Sequence, residues 1–407
     1  MKMNYKNNYV PTYYKNNDIL VKIFDLFYII LLGFFLFKRF FEITKWMQTY
    51  KWSEILFNKI NIIYNSVYEY ILLSYTIIKI ILYKKKLYKI SLFLLLIVIA
   101  KISGVASGNN YIFIVFLLMI SAMNINYKKI LYLSLVINLS ILIPTIFAAK
   151  YGLLPNTIEV GRNREYLGFI WTTLPVMIYC YTCFSFINLK NGKISMFEYV
   201  LINLINIWFF IKTDTRFAFL ILLMTSTFFF LLGNKINFLA TQKIIPALLL
   251  IFPWIASFCV YFFSSIYDEN NKILFKVNKL LSNRLEYCNY SIKKYGVKLF
   301  GQSITWSGRR IGDEPINYVD SAYLQYLLQY GLFILIILLV ICSIIIYQSN
   351  NKKNFVLMFS FAFVMVFGIT EQQMFWIEYD VLLLLAFSDI TNYNKQNKLF
   401  IYENIYK

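Results

Sequence analysis

Apolar runs of membrane-spanning length recur along the whole 407-residue chain. A helix needs about 20 mostly apolar residues to cross the hydrocarbon core of a bilayer. The runs approach that length and are separated by short patches of lysine and asparagine. They lie at 19–37, 62–83, 87–103, 111–125, 130–149, 166–187, 195–211, 217–233, 243–265, 321–347, 355–369 and 376–390. The sequence therefore predicts an all-α, polytopic integral membrane protein with about twelve transmembrane helices.

One long polar passage, residues 266–320, interrupts these runs before the last three of them. We therefore divide the chain into predicted helices 1–9 (1–265), a large extracytoplasmic loop (266–320), and helices 10–12 with a cytoplasmic tail (321–407). Residues 40–61 contain two tryptophans and alternate apolar with charged positions. That pattern is typical of an amphipathic segment at the membrane interface.

The composition favours a protein of the bacterial plasma membrane, and the distribution of lysines predicts the orientation of its helices. Hydrophobic residues make up 59% of the chain, and the formal net charge is +20. The lysines cluster between helices instead of along one face, so we expect membrane lipid and no nucleic acid as the partner. Lysine patches such as 84–89 and 128–129 place both termini in the cytoplasm and 266–320 outside. Residues 38–61 conflict with this scheme, because they hold five cations yet fall outside.

Histidine is absent from the chain, and the five cysteines are scattered. Histidine-based nucleophilic relays and histidine-ligated metals are therefore excluded. The sequence also lacks the glycine-rich phosphate loops of P-loop and dinucleotide-binding proteins. We expect no metal site, no cofactor and no use of cytoplasmic ATP.

The arginines are distributed differently from the lysines. All seven fall on the predicted outer side, where the orientation rule disfavours positive charge. A guanidinium presents a planar fork of donors to phosphate oxygens, whereas an ammonium is a point charge. The candidate pyrophosphate ligands are Arg162, Arg164, Arg216, Arg284, Arg309 and Arg310. The alternative is that these arginines pair with carboxylates of the outer loops, which is common and contributes little stability.

Three carboxylates are candidate proton acceptors, in the order Asp320, Asp214 and Glu165. Asp320 immediately precedes an apolar run, and its alternative role is that of a helix N-cap. Asp214 lies in a very short loop at membrane depth, where ionisable residues are usually functional, although a snorkelling interface cluster is the alternative. Tyr318 and Tyr323 are candidate sugar-binding residues, and Tyr323 could instead belong to an interfacial aromatic belt.

Three local patterns follow one another at predicted outer loops. They are R-x-x-L-G-F at 164–169, T-D-T-R at 213–216 and V-D-S-A-Y-L-x-x-L-L-x-x-G at 319–331. With the helix arrangement, they resemble the repeat-unit polymerases of O-antigen and capsular polysaccharide (Wzy-type), relatives of the O-antigen ligases. The ligases carry a functional histidine near the end of the large outer loop, where this chain has Asn317 to Ser321. The resemblance therefore favours a polymerase.

The resemblance implies an enzyme, a membrane glycosyltransferase that needs no cofactor. Its substrates would be undecaprenyl-pyrophosphate-linked oligosaccharides, polymerised into O-antigen, capsular polysaccharide or exopolysaccharide on the outer face of the plasma membrane. A flippase and a chain-length regulator of the same pathway would be its partners. Three alternatives stay open: a ligase-like transferase, a flippase or exporter of lipid-linked sugars, and a purely structural scaffold. An exporter should place its charges along a central pathway within the helices.

Overall fold

The computed structural model describes residues 18–83, 86–159, 161–241, 244–307 and 316–391. Two of the candidate site residues, Arg309 and Arg310, lie outside the described residues, as does the cytoplasmic tail from residue 392.

Helices account for nearly all of the regular structure in this part of the chain. The α-helices are α1 Asp18–Glu42, α2 Trp46–Thr49, α3 Lys51–Ile63, α4 Glu69–Tyr83, α5 Leu87–Ala106, α6 Tyr111–Ser121, α7 Tyr127–Lys150, α8 Leu174–Leu189, α9 Met196–Thr213, α10 Arg216–Leu232, α11 Ile236–Thr241, α12 Ile244–Ser265, α13 Lys272–Leu280, α14 Arg284–Tyr295, α15 Ala322–Gln329, α16 Leu332–Asn351 and α17 Phe355–Phe367. A π-helical turn, Tyr64–Tyr68, joins α3 to α4, and 3-10 turns lie at Gly233–Lys235, Gln372–Phe375 and Val381–Ala386. Strands β1 Ile158–Glu159 and β2 Arg164–Glu165 form an antiparallel pair.

Six of the described helices are long and apolar enough to cross a membrane: α5, α7, α9, α10, α12 and α16. Three shorter apolar helices, α6, α8 and α17, accompany them. The predicted all-α class and the expected apolar helices are therefore confirmed. Twelve spans and a separate large outer loop stay predictions.

Helix α6 forms the centre of the bundle. All eleven of its residues are buried, because it is apolar on every side and packs against α4, α5 and the segment Val381–Ala386. Helix α12 lies at the periphery and exposes large apolar side chains such as Phe258, which is 65% exposed. Apolar surface of this kind is suited to contact with lipid.

The predicted helix 321–347 is broken into α15 and α16. The break falls at Gly331, whose φ is 91° and which packs directly on the backbone of Gly301, with φ 89°. A Cβ on either glycine would overlap backbone atoms of the other segment. Beside this contact, Gln302 N donates to Gln329 O (2.9 Å) and Leu332 N donates to Lys298 O (3.0 Å). The end of the polar loop is thereby fixed to the break.

The prediction of a last helix at 376–390 is wrong. These residues adopt irregular backbone and the 3-10 turn Val381–Ala386, and the Asp380 carboxylate caps this turn by accepting from Leu382 N (3.2 Å). All six residues of the turn are buried. Irregular backbone at membrane depth is tolerated where protein covers it, and this segment lies inside the bundle.

Loops predicted to share a side of the membrane lie at the same end of the bundle. At the predicted outer end, Lys45 N donates to Gly168 O (2.9 Å), so that 38–61 joins the outer loops despite its positive charge. At the opposite end, Tyr127 N donates to Asp389 O (3.0 Å). The grouping agrees with the lysine pattern, whereas the orientation toward the cytoplasm stays a prediction.

Candidate functional site

An ion triad links the large polar loop to the end of α17. The Arg284 side chain, at the start of α14, donates through Nε to Asp320 Oδ2 (2.8 Å) and through Nη2 to Glu371 Oε1 (3.1 Å). The side chains of Arg284 and Asp320 are each 27% exposed, whereas that of Glu371 is only 8% exposed. We call these three residues the Arg284 triad. It is a charged site that solvent reaches on one side and protein buries on the other.

Local backbone contacts explain why Asp320 faces Arg284. The N-cap residue of α15 is Ser321, and Asp320 lies one position before it. The Ser321 hydroxyl and Ala322 N both donate to Gly368 O, at 3.3 and 3.0 Å, which ties this loop to the end of α17. The N-cap alternative for Asp320 is therefore wrong, because its carboxylate pairs with Arg284 instead.

A chain of polar side chains continues from the triad into the protein. Gln372 Nε2 donates to the Tyr318 hydroxyl, and Gln325 Nε2 donates to Gln372 Oε1 (2.6 Å). Burial raises the pKa of Tyr318, so its hydroxyl stays neutral and can both donate and accept hydrogen bonds. The buried oxygens Gln325 Oε1 and Thr370 Oγ1 have no partner among the described residues. Unpaired buried oxygens of this kind can bind water or a ligand hydroxyl.

Glu371 is a residue that sequence reasoning missed. Burial raises its pKa to about 7, although the Arg284 guanidinium opposes this rise. A carboxyl that titrates near neutral pH can take up and release a proton during catalysis. A signal was available, since Glu371 is the one acidic residue in the short stretch between the predicted helices 355–369 and 376–390.

Arg164 approaches the triad from β2, close enough for its positive charge to lower the pKa of Glu371. Its Nε donates to Thr213 O (2.6 Å), and its Nη1 pairs with Glu159 of β1 (3.3 Å). Next to it, Glu165 pairs with Lys212 (2.8 Å). The first two sequence patterns, 164–169 and 213–216, are therefore in direct contact.

The other candidate residues do not join the triad through any described contact. Arg216 is 75% exposed and pairs with Asp214 (3.0 Å), two residues away, which favours the local-pair interpretation for both. Arg162 is exposed and forms no ion pair with a described residue. Although burial opposes it, hydrogen bonds from Lys212 and Asn156 lower the pKa of Glu165, which makes Glu165 a weaker base.

Tyr323 is a core residue in this structure. Its side chain is 1% exposed, and its hydroxyl donates to Met365 O (2.9 Å). No ring face is left for a sugar, and the ring does not form part of an interfacial belt. Tyr318, which contacts Gln372 beside the triad, keeps its place as a candidate sugar-binding residue.

A second buried ion pair lies at the same end of the bundle. Arg39 Nη2 of α1 contacts Glu378 Oε1 (2.8 Å), and the Tyr111 hydroxyl of α6 donates to Glu378 Oε2 (2.7 Å). Ile377 N donates in turn to the Tyr111 hydroxyl (3.0 Å). These contacts hold the irregular segment 376–380 against α1 and α6, so we assign them a structural role.

The residues of the Arg284 triad are suited to anion binding and proton transfer. In the described ranges, no three His, Cys, Asp or Glu side chains are grouped so that they could hold a metal ion. No protein-family model matches the chain, and neither a curated protein nor a solved structure matches it.

Proposed function

We propose that this protein polymerises lipid-pyrophosphate-linked oligosaccharide repeat units on the outer face of a bacterial plasma membrane. The observation that supports this most directly is the Arg284 triad, in which a guanidinium lies beside a carboxyl that titrates near neutral pH. The substrate class comes from the resemblance of the sequence patterns to the Wzy-type polymerases. The triad supplies the two chemical functions that such a transfer needs.

In the proposed reaction, a hydroxyl of the acceptor sugar attacks the anomeric carbon of the donor repeat unit. Its proton passes to the Glu371 carboxylate as the new C–O bond forms. The bond between the donor sugar and its pyrophosphate breaks, and the lipid pyrophosphate leaves with the electron pair. Negative charge grows on the leaving group, where positioned donors are most effective.

Arg284 has donors left for this leaving group. A guanidinium carries five N–H groups, and Arg284 uses two of them in its hydrogen bonds to Asp320 and Glu371. The others have no acceptor among the described residues. Asp320 holds the guanidinium in place, and Arg164 adds positive charge nearby. This assignment makes Asp320 a positioning residue and Glu371 the proton acceptor, because Glu371 is the carboxyl whose pKa is raised.

A deletion strain tests the function. Lipid-linked single repeats without long chains are expected if the protein is a polymerase. Long lipid-linked polymer that is not transferred would indicate a ligase instead, and repeats trapped on the cytoplasmic side would indicate a flippase. Complementation with Glu371→Gln should leave single repeats, whereas Glu269→Gln, at an exposed carboxyl of the large polar loop, should restore the polymer.

A further inference from the structure

Helix α13 presents an apolar face and a lysine face, side by side. Ile273, Val277 and Leu280 are 74%, 38% and 84% exposed. At 3.6 residues per turn they lie within about 60° of one another around the helix. Lys272, Lys276 and Lys279 occupy the neighbouring sector of similar width. The helix is therefore amphipathic, with its apolar face directed away from the protein.

Asn278 fixes the rotation of α13 on the protein. Its side chain is buried, its amide donates to the Tyr267 hydroxyl (3.0 Å), and its Oδ1 accepts from Glu286 N (3.2 Å). Asn278 lies about 130° around the helix from the centre of the apolar face and about 130° from the centre of the lysine face. The apolar face is consequently not the face that packs on the bundle, and its exposure is a fixed feature of this fold.

The position of α13 along the chain keeps it near the membrane. Only six residues, 266–271, separate it from α12, a helix long and apolar enough to span. Six residues reach at most about 20 Å when fully extended. Exposed apolar side chains continue to the end of α12, where Phe263 is 46% and Ile266 45% exposed. The start of α13 therefore lies within about 20 Å of the membrane surface at which α12 would end.

The charge of α13 indicates what covers it. The helix contains three lysines and no acidic residue. None of the three lysines forms an ion pair with a described residue, and the preceding Asp268 and Glu269 do not pair with them either. Uncompensated lysines beside an exposed apolar face are the signature of a helix lying in a membrane interface with anionic lipids.

We propose that α13 docks on the membrane surface at this end of the bundle, with Ile273, Val277 and Leu280 in the interface and its lysines against anionic lipid headgroups. Only three residues, 281–283, separate the end of α13 from Arg284 at the start of α14. The interfacial helix therefore sets the depth of the Arg284 triad relative to the headgroups. This inference is independent of the proposed polymerase activity.

The test uses the full-length protein in vesicles of phosphatidylcholine, with and without phosphatidylglycerol. A polarity-sensitive fluorophore is attached at Ile273→Cys after Cys259→Ser, because the other four cysteines are buried. Phe275→Cys is the matched control, since Phe275 is exposed but lies away from the apolar face. Brominated lipids should quench the probe at 273 several-fold more strongly than at 275. Equal quenching at both positions would overturn the proposal.

The proposed contact between the α13 lysines and anionic headgroups is tested separately in the same vesicles. Quenching at position 273 should increase with phosphatidylglycerol, and replacing Lys272, Lys276 and Lys279 by glutamine should remove that increase. An increase that survives the replacement would overturn the headgroup assignment. Efficient disulfide cross-linking between two copies through Ile273→Cys would overturn lipid docking in favour of a contact between copies.

Discussion

Glu371 and Asp320 contact the same guanidinium but occupy different environments. The Asp320 side chain is 27% exposed, whereas that of Glu371 is 8% exposed. Burial raises the pKa of Glu371 to about 7, so we expect Glu371 to exchange its proton near neutral pH. Asp320 instead positions the Arg284 guanidinium through its hydrogen bond.

The titration of Glu371 predicts opposite pH dependences for activity and stability. Its pKa rises from an ordinary value of 4.5 to about 7 on folding, so the folded protein binds the proton more tightly. The stabilisation from this group is complete below pH 4.5 and is lost as pH rises through about 7. Over the same window, polymerase activity should rise as the base becomes ionised.

Glu371→Gln tests both dependences. The variant should make only single repeats, and its melting temperature should fall less between pH 5 and pH 8 than that of the wild type. Thermal unfolding in detergent and gel analysis of the glycan provide the two measurements. Wild-type polymer from Glu371→Gln would remove Glu371 from the mechanism.

Arg284→Lys should retain the positive charge but lose the planar set of N–H donors of the guanidinium. We expect polymer formation to fall by about 100-fold or more, the loss typical when one positioned donor is removed from a developing anion. Arg216→Lys is the matched control, since Arg216 is exposed and pairs only with its neighbour Asp214. Its activity, measured on purified lipid-linked repeats, should fall much less. Equal losses in both variants would restore Arg216 as a pyrophosphate ligand.

The sequence alone identified some of the individual residues of the candidate site. It marked Arg284 and Asp320 because both lie in the one long polar passage. It missed Glu371 because the triad joins residues 36 and 87 positions apart, a proximity that no local pattern contains. It misassigned Tyr323 because helical spacing shows which side chains share a face without showing whether that face is buried.

Comparison of the apolar runs with the observed helices shows where hydropathy predicts a helix correctly and where it does not. Isolated apolar runs such as 87–103 and 243–265 correspond closely to α5 and α12. The run 321–347 was not resolved into two helices, because its apolar content hides the positive φ at Gly331. The run 376–390 is apolar without being helical, and apolar content alone cannot distinguish a buried irregular segment from a helix.

The contact between Gly301 and Gly331 should be sensitive to one added methyl group. Gly331→Ala brings both an unfavourable φ and an overlap with backbone atoms. Gly152→Ala is the matched control, because Gly152 has φ 73° but nothing within 4 Å of an added Cβ. Both variants carry the backbone strain, so Gly331→Ala should be less stable by a further ~1–3 kcal/mol from overpacking. Equal melting temperatures of the two variants would show that the contact rearranges without a loss of stability.

The whole molecule separates its predicted outer and inner loops into two ends. Lysine counting predicted this grouping before the structure, because orientation depends on loop composition and needs no knowledge of packing. Residues 38–61, which the prediction placed outside despite their positive charge, do lie at the outer end. There, Lys38 pairs with Glu42 (3.0 Å), Arg39 pairs with Glu378 (2.8 Å), and Lys45 donates to Pro155 O (3.3 Å), so at least three of its five cations have partners within the protein.

Cysteine labelling tests the orientation of the two ends. A thiol at Asp268→Cys should react with a membrane-impermeant reagent in intact cells, whereas a thiol at Lys353→Cys should react only after permeabilisation. Both positions are exposed, so access to the reagent depends on the membrane alone. The reverse pattern would place the Arg284 triad in the cytoplasm and contradict the proposed reaction.

The ion pair between Arg39 and Glu378 has a consequence for biosynthesis. The two residues are 339 positions apart, so Arg39 is synthesised long before the ribosome has made its partner. Until then, this guanidinium and the Tyr111 hydroxyl lack the carboxylate that satisfies them in the finished protein. The nascent chain therefore forms this contact of α1 late, and a chain truncated before residue 378 should be recognised and degraded by membrane proteases.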